Sequence, residues 1–442
     1  MNQKTVLHIG FDDTDSPKGM CTTYLAYKIV DSLRKECVEF LDYPRLIRFN
    51  PNIPWKTRGN GAVGLSIKTA EPEKIKQKVK QMVKSYSDTK NGANSGLVFY
   101  QSNTIPKDFK NFSELAMWKL IGRSFAKQFV SKNNLESLYL GNGQGLVGAV
   151  GAIGYSFFDR TFELISYRKK RQFGKKRQIV PQSVRVMQEK TYPYTFNSYD
   201  KKTDRVLITP HGPDPVFYGV RGEDPNTVIN ASKLIQTNER LDGYLVFKTN
   251  QGTNDHLKNE LDLSELKPYT SGTVTGTVSS RPKTQKGGHV LFSLVTKGQK
   301  INCAIYRPTK ITTVALELVV GDKVCVGGGI RKASKKHGRT LNVEFIEILK
   351  LEKQYKMANP ICGNCNKKMK SKGKNQGFEC KKCKSKADTK IRAEIPRKVE
   401  PKLYVPVVTA HRHLTRPLQR VGRENHEKRI SKSISWFHVF AN

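Results

Sequence analysis

The apolar positions near the start of the chain change period once. Val6–Phe11 reads as a strand, and after an acidic turn Leu25, Ile29 and Leu33 recur at helical spacing, which predicts a helix over about Thr22–Arg34. Further strands are expected near Leu46–Phe49, Ala62–Ile67 and Phe162–Tyr167. A polar helix is expected at Glu71–Tyr86 and one long helix at Phe112–Ser131. Beyond the basic run Lys169–Arg177, which reads as a solvated linker or a phosphate contact, come a helix near Pro225–Gln236 and a strand at Gly243–Lys248. Residues 265–352 then hold about five short strands with glycine and lysine turns between them. That rhythm suits an OB-like barrel or another small barrel or sandwich. Mixed strands and helices followed by a strand-rich segment predict a multidomain α+β chain.

Charge narrows the function. The 442 residues include 78 Lys and Arg against 38 Asp and Glu, a formal net charge of +40. Such a chain suits an anionic partner, nucleic acid or acidic membrane. Membrane is the weaker choice, because no apolar run reaches the roughly 20 residues of a spanning helix; the longest, Leu140–Phe158, is interrupted by glycine. The start of the chain shows no secretory pattern, and cysteine usage does not resemble a disulfide framework, so the expected compartment is a reducing cytoplasm. Residues 353–442 hold 23 Lys and Arg against 6 Asp and Glu, and after Lys390 few core residues are evident.

Three motifs carry chemistry. Cys362-x-x-Cys365 and Cys380-x-x-Cys383 are two knuckles able to present four thiolates to one tetrahedral zinc. With every ligand position filled by cysteine, the zinc is expected to be structural. Secondly, Asp12, Asp13 and Asp15 crowd the end of the first strand. Unpaired, they repel at a cost of about 1 kcal/mol each in an intermediate dielectric. Magnesium shared with nucleotide phosphates removes that repulsion; a solvated turn or helix cap is the bland alternative. Thirdly, Gly141, Gly143 and Gly145 punctuate a loop that presents backbone amides to phosphate or ribose, or else allows close helix–strand packing. Polar glycine loops at Lys56–Gly61 and Gln251–His256 read first as turns, although Arg58 can neutralise phosphate and Asp255 can bind a cation.

In order along the chain, Gly10-Phe11-Asp12-Asp13-Thr14-Asp15-Ser16, Gly19–Tyr24, Gly141–Leu146, His211–Gly222, Thr249–Thr253 and Ala410–Pro417 resemble the archaeal tRNA-isoleucine 2-agmatinylcytidine synthetases. The resemblance covers nearly the whole chain, and the opening motif is its specific part. It implies a kinase-like α/β catalytic domain (1–172), a ferredoxin-like domain (173–262), an OB-fold barrel (265–352), a zinc ribbon (355–390) and a basic tail (391–442). It also implies a reaction. ATP activates the 2-carbonyl oxygen of the wobble cytidine in the CAU anticodon of tRNA-isoleucine, agmatine displaces that oxygen, AMP and pyrophosphate are among the products, and the tRNA then reads AUA. Asp12, Asp13 and Asp15 would hold magnesium and ATP, and Thr22 matches a threonine able to accept a phosphoryl group. Read from the residues themselves, Arg58, Gly141, Gly143 and Gly145 are the expected nucleotide-binding positions beside them. Gln144 stands where relatives are expected to carry Arg.

Two other readings compete with a ligase. A noncatalytic OB-fold and zinc-ribbon nucleic-acid binder accounts for the charge, the barrel and the ribbon, but not for an acidic cluster that repels phosphate. An RNA kinase or nucleotidyltransferase would use the cluster without transferring an amine. The expected partners are therefore tRNA-isoleucine and agmatine, with no membrane and no obligate protein partner.

Overall fold

In the first strand of the computed structural model, β1 (Thr5–Asp12), Leu7, Ile9 and Phe11 are fully buried on one face. The structure describes residues 3–334, 338–426 and 435–440. Around β1 lie α1 (Thr22–Leu33), β2 (Val38–Phe40), β3 (Arg45–Arg48), β4 (Gly61–Thr69), α2 (Pro72–Tyr86), β5 (Gly96–Gln101), α3 (Lys107–Trp118), α4 (Arg123–Lys132), β6 (Ser137–Tyr139) and α5 (Leu146–Gly154). The Leu7/Ile9/Phe11 face packs with the apolar faces of α1 and α2, and Val98 of the neighbouring strand packs on the other side with α3, α4 and α5. The sheet is thus covered on both faces.

The chain continues through β7 (Thr161–Arg168), α6 (Pro181–Thr191), β8 (Thr195–Phe196), the small hairpin β9 (Tyr199–Asp200) and β10 (Arg205–Val206), β11 (Val216–Gly222), α7 (Pro225–Lys233) and β12 (Leu241–Thr249). These strands extend the first sheet rather than starting a new one. The order is β6-β5-β1-β4-β3-β12-β7-β11-β8, with β12 parallel to β3 and antiparallel to β7. The sheet therefore runs across the 172/173 division expected from sequence.

The next segment closes on itself: β13 (Ser271–Val278), β14 (Lys283–Thr284), β15 (Val290–Thr296), β16 (Gln299–Ile305), α8 (Thr312–Leu316), β17 (Lys323–Arg331) and β18 (Thr340–Lys350). β13 pairs with both β17 and β15, and β16 runs parallel to β18, so five strands form a closed barrel. Counted within the barrel the order is first-fourth-fifth-third-second, the OB topology. Val274, Leu294, Val326 and Ile346 fill its interior. Then β19 (Gln354–Ala358) pairs with β23 (Ile391–Ile395), flanking a three-stranded ribbon of β20 (Lys370–Ser371), β21 (Phe378–Glu379) and β22 (Lys386–Ala387).

Three features differ from the sequence expectations. The single helix expected at Phe112–Ser131 is two helices, because Lys119 and Gly122 take extended backbone and Gly122 caps α4. The glycine-rich stretch is the helix α5. Glycine costs about 1 kcal/mol per helix position relative to alanine, and here Gly148 lets the helix lie against Asp12, whose carboxylate a Cβ would strike. The expected tail with few core residues returns to the centre of the molecule. Leu414 and Arg420 are buried, β24 (Leu403–Tyr404) pairs with β18, and β25 (Phe437–Val439) pairs with β12 beside buried Trp436. Polar residues conceal this, since the interior contacts are ionic: Arg420 donates to Asp159 at 3.0 Å and to Glu223 at 2.7 Å. The last basic residues of that tail, Lys428, Arg429 and Lys432, lie outside the described residues.

Candidate active site

β1 ends by delivering Asp12 and Asp13 to the top of the sheet, and α1 begins nearby with Thr22. Asp12 accepts the backbone N–H of Asp13 at 2.7 Å, and Asp13 holds a left-handed φ of 55°. The Thr22 hydroxyl donates to Asp15 at 3.2 Å and accepts from the Thr14 hydroxyl at 3.1 Å. Arg58, from the turn before β4, lies 3.5 Å from Asp15 and 3.6 Å from Asp214. The structure thus brings together Asp12, Asp13, Asp15, Thr22 and Arg58.

Burial raises the pKa of all these carboxylates. Asp12 is pushed well up by burial and then by the Asp13 charge. Asp13 is pushed up to about 6 by burial and by Asp15. Asp15 is also raised by burial, against the opposing Arg58 charge and the Thr22 hydrogen bond. Without a cation, protons relieve the crowding. Carboxylate oxygens are the ligand class magnesium prefers, although among the described residues only the four cysteines bring three or more ligand atoms within 4.8 Å of one another.

The cluster stands between two cavities. Asp12 and Asp13 line one of about 60 Å³ with Trp55, Lys56, Lys119 and Gln144. Gly148 of α5 is on its wall, so a helix N-terminus, which favours anions, adjoins the carboxylates. Asp15 and Thr22 line the other, of about 250 Å³, and Thr57 borders both. Gly145 packs on Asp12 and Gly96 backbone, whereas Gly141 and Gly143 take positive φ in the preceding turn beside Asn94 and Tyr139.

The larger cavity is lined by charges of both signs. Asp15 and Asp214 lie on one part of the lining, where Arg58 pairs with both and Arg177 also pairs with Asp214 at 3.4 Å. On the same lining, Glu163 accepts from Arg221 at 3.0 Å and lies 3.9 Å from Arg48, a net positive wall. The buried Nε of Arg48 has no hydrogen-bond partner among the described residues. His413 completes this wall. Sequence reasoning gave no role to Arg48, Glu163, Arg221 or His413, which come from four distant segments, although Arg221 and His413 lie in motifs that carry the resemblance. The available signal was a charge inside an apolar strand, as at Arg48 in β3 and Glu163 in β7, since buried charges persist only when paired. Asp255 belongs elsewhere, bonded to Tyr155 and Lys258.

In the ribbon, Cys362, Cys365, Cys380 and Cys383 place all four sulfurs within 4.8 Å of one another, with Cys362–Cys383 at 3.1 Å and Cys365–Cys380 at 3.3 Å. That is a four-sulfur donor set with no position left open, as structural zinc requires.

Comparison with known proteins agrees with this geometry. Family models match in sequence: the TiaS TCKD domain over residues 8–142, the TiaS FLD domain over 143–256 and the TiaS C-terminal zinc ribbon domain over 359–399. The tRNA-isoleucine 2-agmatinylcytidine synthetase TiaS of Cenarchaeum symbiosum is 46% identical over 436 residues, covering 99% of this chain and 97% of that protein. The namesake from Methanocaldococcus jannaschii is 37% identical over 94% of this chain and 99% of its own. Among solved structures, apo TiaS superposes with a TM-score of 0.85 at 35% identity, covering 94% of this chain and 97% of that one. The complex of TiaS with its isoleucine tRNA, AMPCPP and agmatine superposes at 0.80 with 31% identity, covering 99% and 100%. The chain belongs to the TiaS family of tRNA-isoleucine 2-agmatinylcytidine synthetases.

Proposed function

We propose that this protein uses ATP to join agmatine to C2 of the wobble cytidine in the CAU anticodon of tRNA-isoleucine, in the cytoplasm, so that the tRNA decodes AUA. The observation that carries the reading is the carboxylate cluster standing between two cavities, in a chain that a TiaS relative bound to tRNA, a nucleotide analogue and agmatine matches over 99% of its length. A purely binding protein would have no use for such a cluster facing phosphate.

The smaller cavity, too small at about 60 Å³ to enclose a whole nucleotide, suits one end of it. Lys56 and Lys119 offer charge to phosphates and Trp55 offers a face for the base, while the loop of Gly141, Gly143 and Gly145 leads into the helix N-terminus. Asp12, Asp13 and Asp15 would hold magnesium, which neutralises phosphate charge. Thr22 and Arg58 line the larger cavity on the other side of the carboxylates; Thr22 would accept a phosphoryl group there, and Arg58 would release its carboxylates and pair with phosphate. The larger cavity suits the amine transfer. Its Asp15 and Asp214 carboxylates would exchange their arginine partners for the cationic agmatine, and its Arg48/Arg221 wall would face the negative charge that develops as oxygen leaves. The C2–N bond forms, the C2–O bond breaks, the oxygen departs on the group ATP supplied, and the amine gives up its protons. Structural zinc would hold the ribbon, whose exposed Lys381, Lys382 and Lys384 suit the RNA backbone.

Labelled agmatine, incubated with the protein and a tRNA-isoleucine transcript, is expected to enter the RNA only when ATP and magnesium are both present. RNA that stays unlabelled under all conditions would remove the assignment.

A further inference from the structure

The segment Ala410–Pro417 reaches the larger cavity from the far end of the chain, and one of its side chains does more than fill space. His413 Nδ1 lies 2.7 Å from Gln251 Oε1. The same amide donates through Nε2 to the Glu163 carboxylate, so its Oε1 must accept and His413 must carry its proton on Nδ1. Glu163 in turn accepts from Arg221 and faces Arg48. Gln251 is wholly buried, and its own backbone carbonyl accepts from Thr161 at 2.8 Å, so the amide has no freedom to seek another partner. His413 sits on a backbone held equally firmly. Its backbone carbonyl accepts from Gly252 at 2.8 Å, that of Leu414 accepts from Asn254 at 2.8 Å, and Leu414 is buried. The Nε2 edge rests against Gly59, where a Cβ would come within 2.6 Å.

We propose that His413 is a positioning residue for amine transfer: through Gln251 it fixes the Glu163 carboxylate between Arg48 and Arg221, and so aims the positive wall of the cavity. This rests on the reading of the larger cavity given above. Burial, with Arg48 and Arg221 nearby, depresses the His413 pKa well below its ordinary value, so the ring stays neutral and keeps this donor arrangement at working pH. The neighbours of His413 tie the same segment to other parts of the molecule. Arg412 donates to Glu344 of the barrel at 3.0 Å and to Asn52 at 2.8 Å, and His411 lies 3.0 Å from Asn197 Oδ1. The strand of chain that positions the catalytic wall is therefore also the one that binds the barrel.

The test uses the full-length enzyme with His413→Asn, His413→Gln and His413→Ala. Asparagine puts an amide N–H where the imidazole Nδ1–H stands; glutamine reaches only to the Nε2 side. Alanine and glutamine are expected to lower kcat on the order of tenfold to a hundredfold, as small misplacements of catalytic groups do. The KM values for agmatine and ATP and the Kd for tRNA should stay within about threefold, and asparagine should restore most of kcat. If asparagine fails as badly as glutamine, or if the loss appears in tRNA affinity or melting temperature instead of kcat, the proposal is overturned. Arg221→Ala separates this from the underlying reading. An unchanged kcat in that variant would sink the account of the cavity itself, whereas a lowered kcat there with an unaffected His413→Ala would sink only the role of His413.

Discussion

At the scale of single residues, the crowded carboxylates make two opposing demands. Their burial favours protonation, with Asp13 up to about 6 and Asp12 well above its ordinary value, while a divalent ion requires them ionised. Because the folded-state pKa values are raised, the cluster favours the native state at low pH, and that contribution is lost as pH rises through about 6. Magnesium should reverse the trend, so the gain in melting temperature on adding magnesium and ATP is expected to be larger at pH 8 than at pH 5; equal gains would remove the ion from the cluster. Asp12→Asn keeps size and a carbonyl oxygen but loses charge, and should lower turnover by about a hundredfold or more while tRNA affinity is retained. Were these residues only caps, asparagine would cap as well and activity would survive. This cluster was legible in sequence because its members are adjacent in the chain. Arg48, Glu163, Arg221 and His413 were not, because only the folded sheet and the returning tail bring them to one wall.

At the scale of elements, strands and helices with clean periodicity were readable. Val6–Phe11, Thr22–Arg34 and the five barrel strands match the observed β1, α1 and barrel within a few residues. Elements whose reason lies in packing were not. α5 consists of Leu146–Gly154 with glycine at every third position, unfavourable locally and permitted by its contact with Asp12 and β1. The break between α3 and α4 depends on four residues, Lys119–Gly122, whose apolar content continues the helical pattern. The ribbon is the opposite case, since its spacing fixes its chemistry. Cys380→Ser leaves the thiolate set incomplete. The variant is expected to lose zinc by elemental analysis and to bind tRNA about tenfold more weakly, while ATP still protects the first part of the sheet. Full zinc content in that variant would contradict the four-cysteine site.

At the scale of the whole molecule, a net charge of +40 is the dominant fact about association. Each neutralised phosphate contributes about −0.7 to −0.9 to the slope of log affinity against log salt, so several contacts should give a magnitude of ~5 or more. A nearly flat titration would contradict the charge argument. Charge reversal at exposed Lys381 and Lys382 is the cleaner probe of where contacts lie. Truncation after residue 395 is not, because it strips Arg420 from Asp159 and Glu223 and removes Leu414 and Trp436 from the interior. Composition revealed the basic end but not its return, because the residues that anchor it are themselves charged. The central claim, agmatine transfer to one cytidine, is tested most directly by the mass of the wobble nucleoside. A tRNA-isoleucine transcript with the CAU anticodon is incubated with the protein, ATP, magnesium and agmatine, then digested to nucleosides. The account predicts that cytidine at that position is replaced by its agmatine conjugate, with the oxygen at C2 lost, and that omitting ATP prevents it. Unmodified cytidine at the wobble position, or a phosphorylated or nucleotidylated product without the amine, would contradict it.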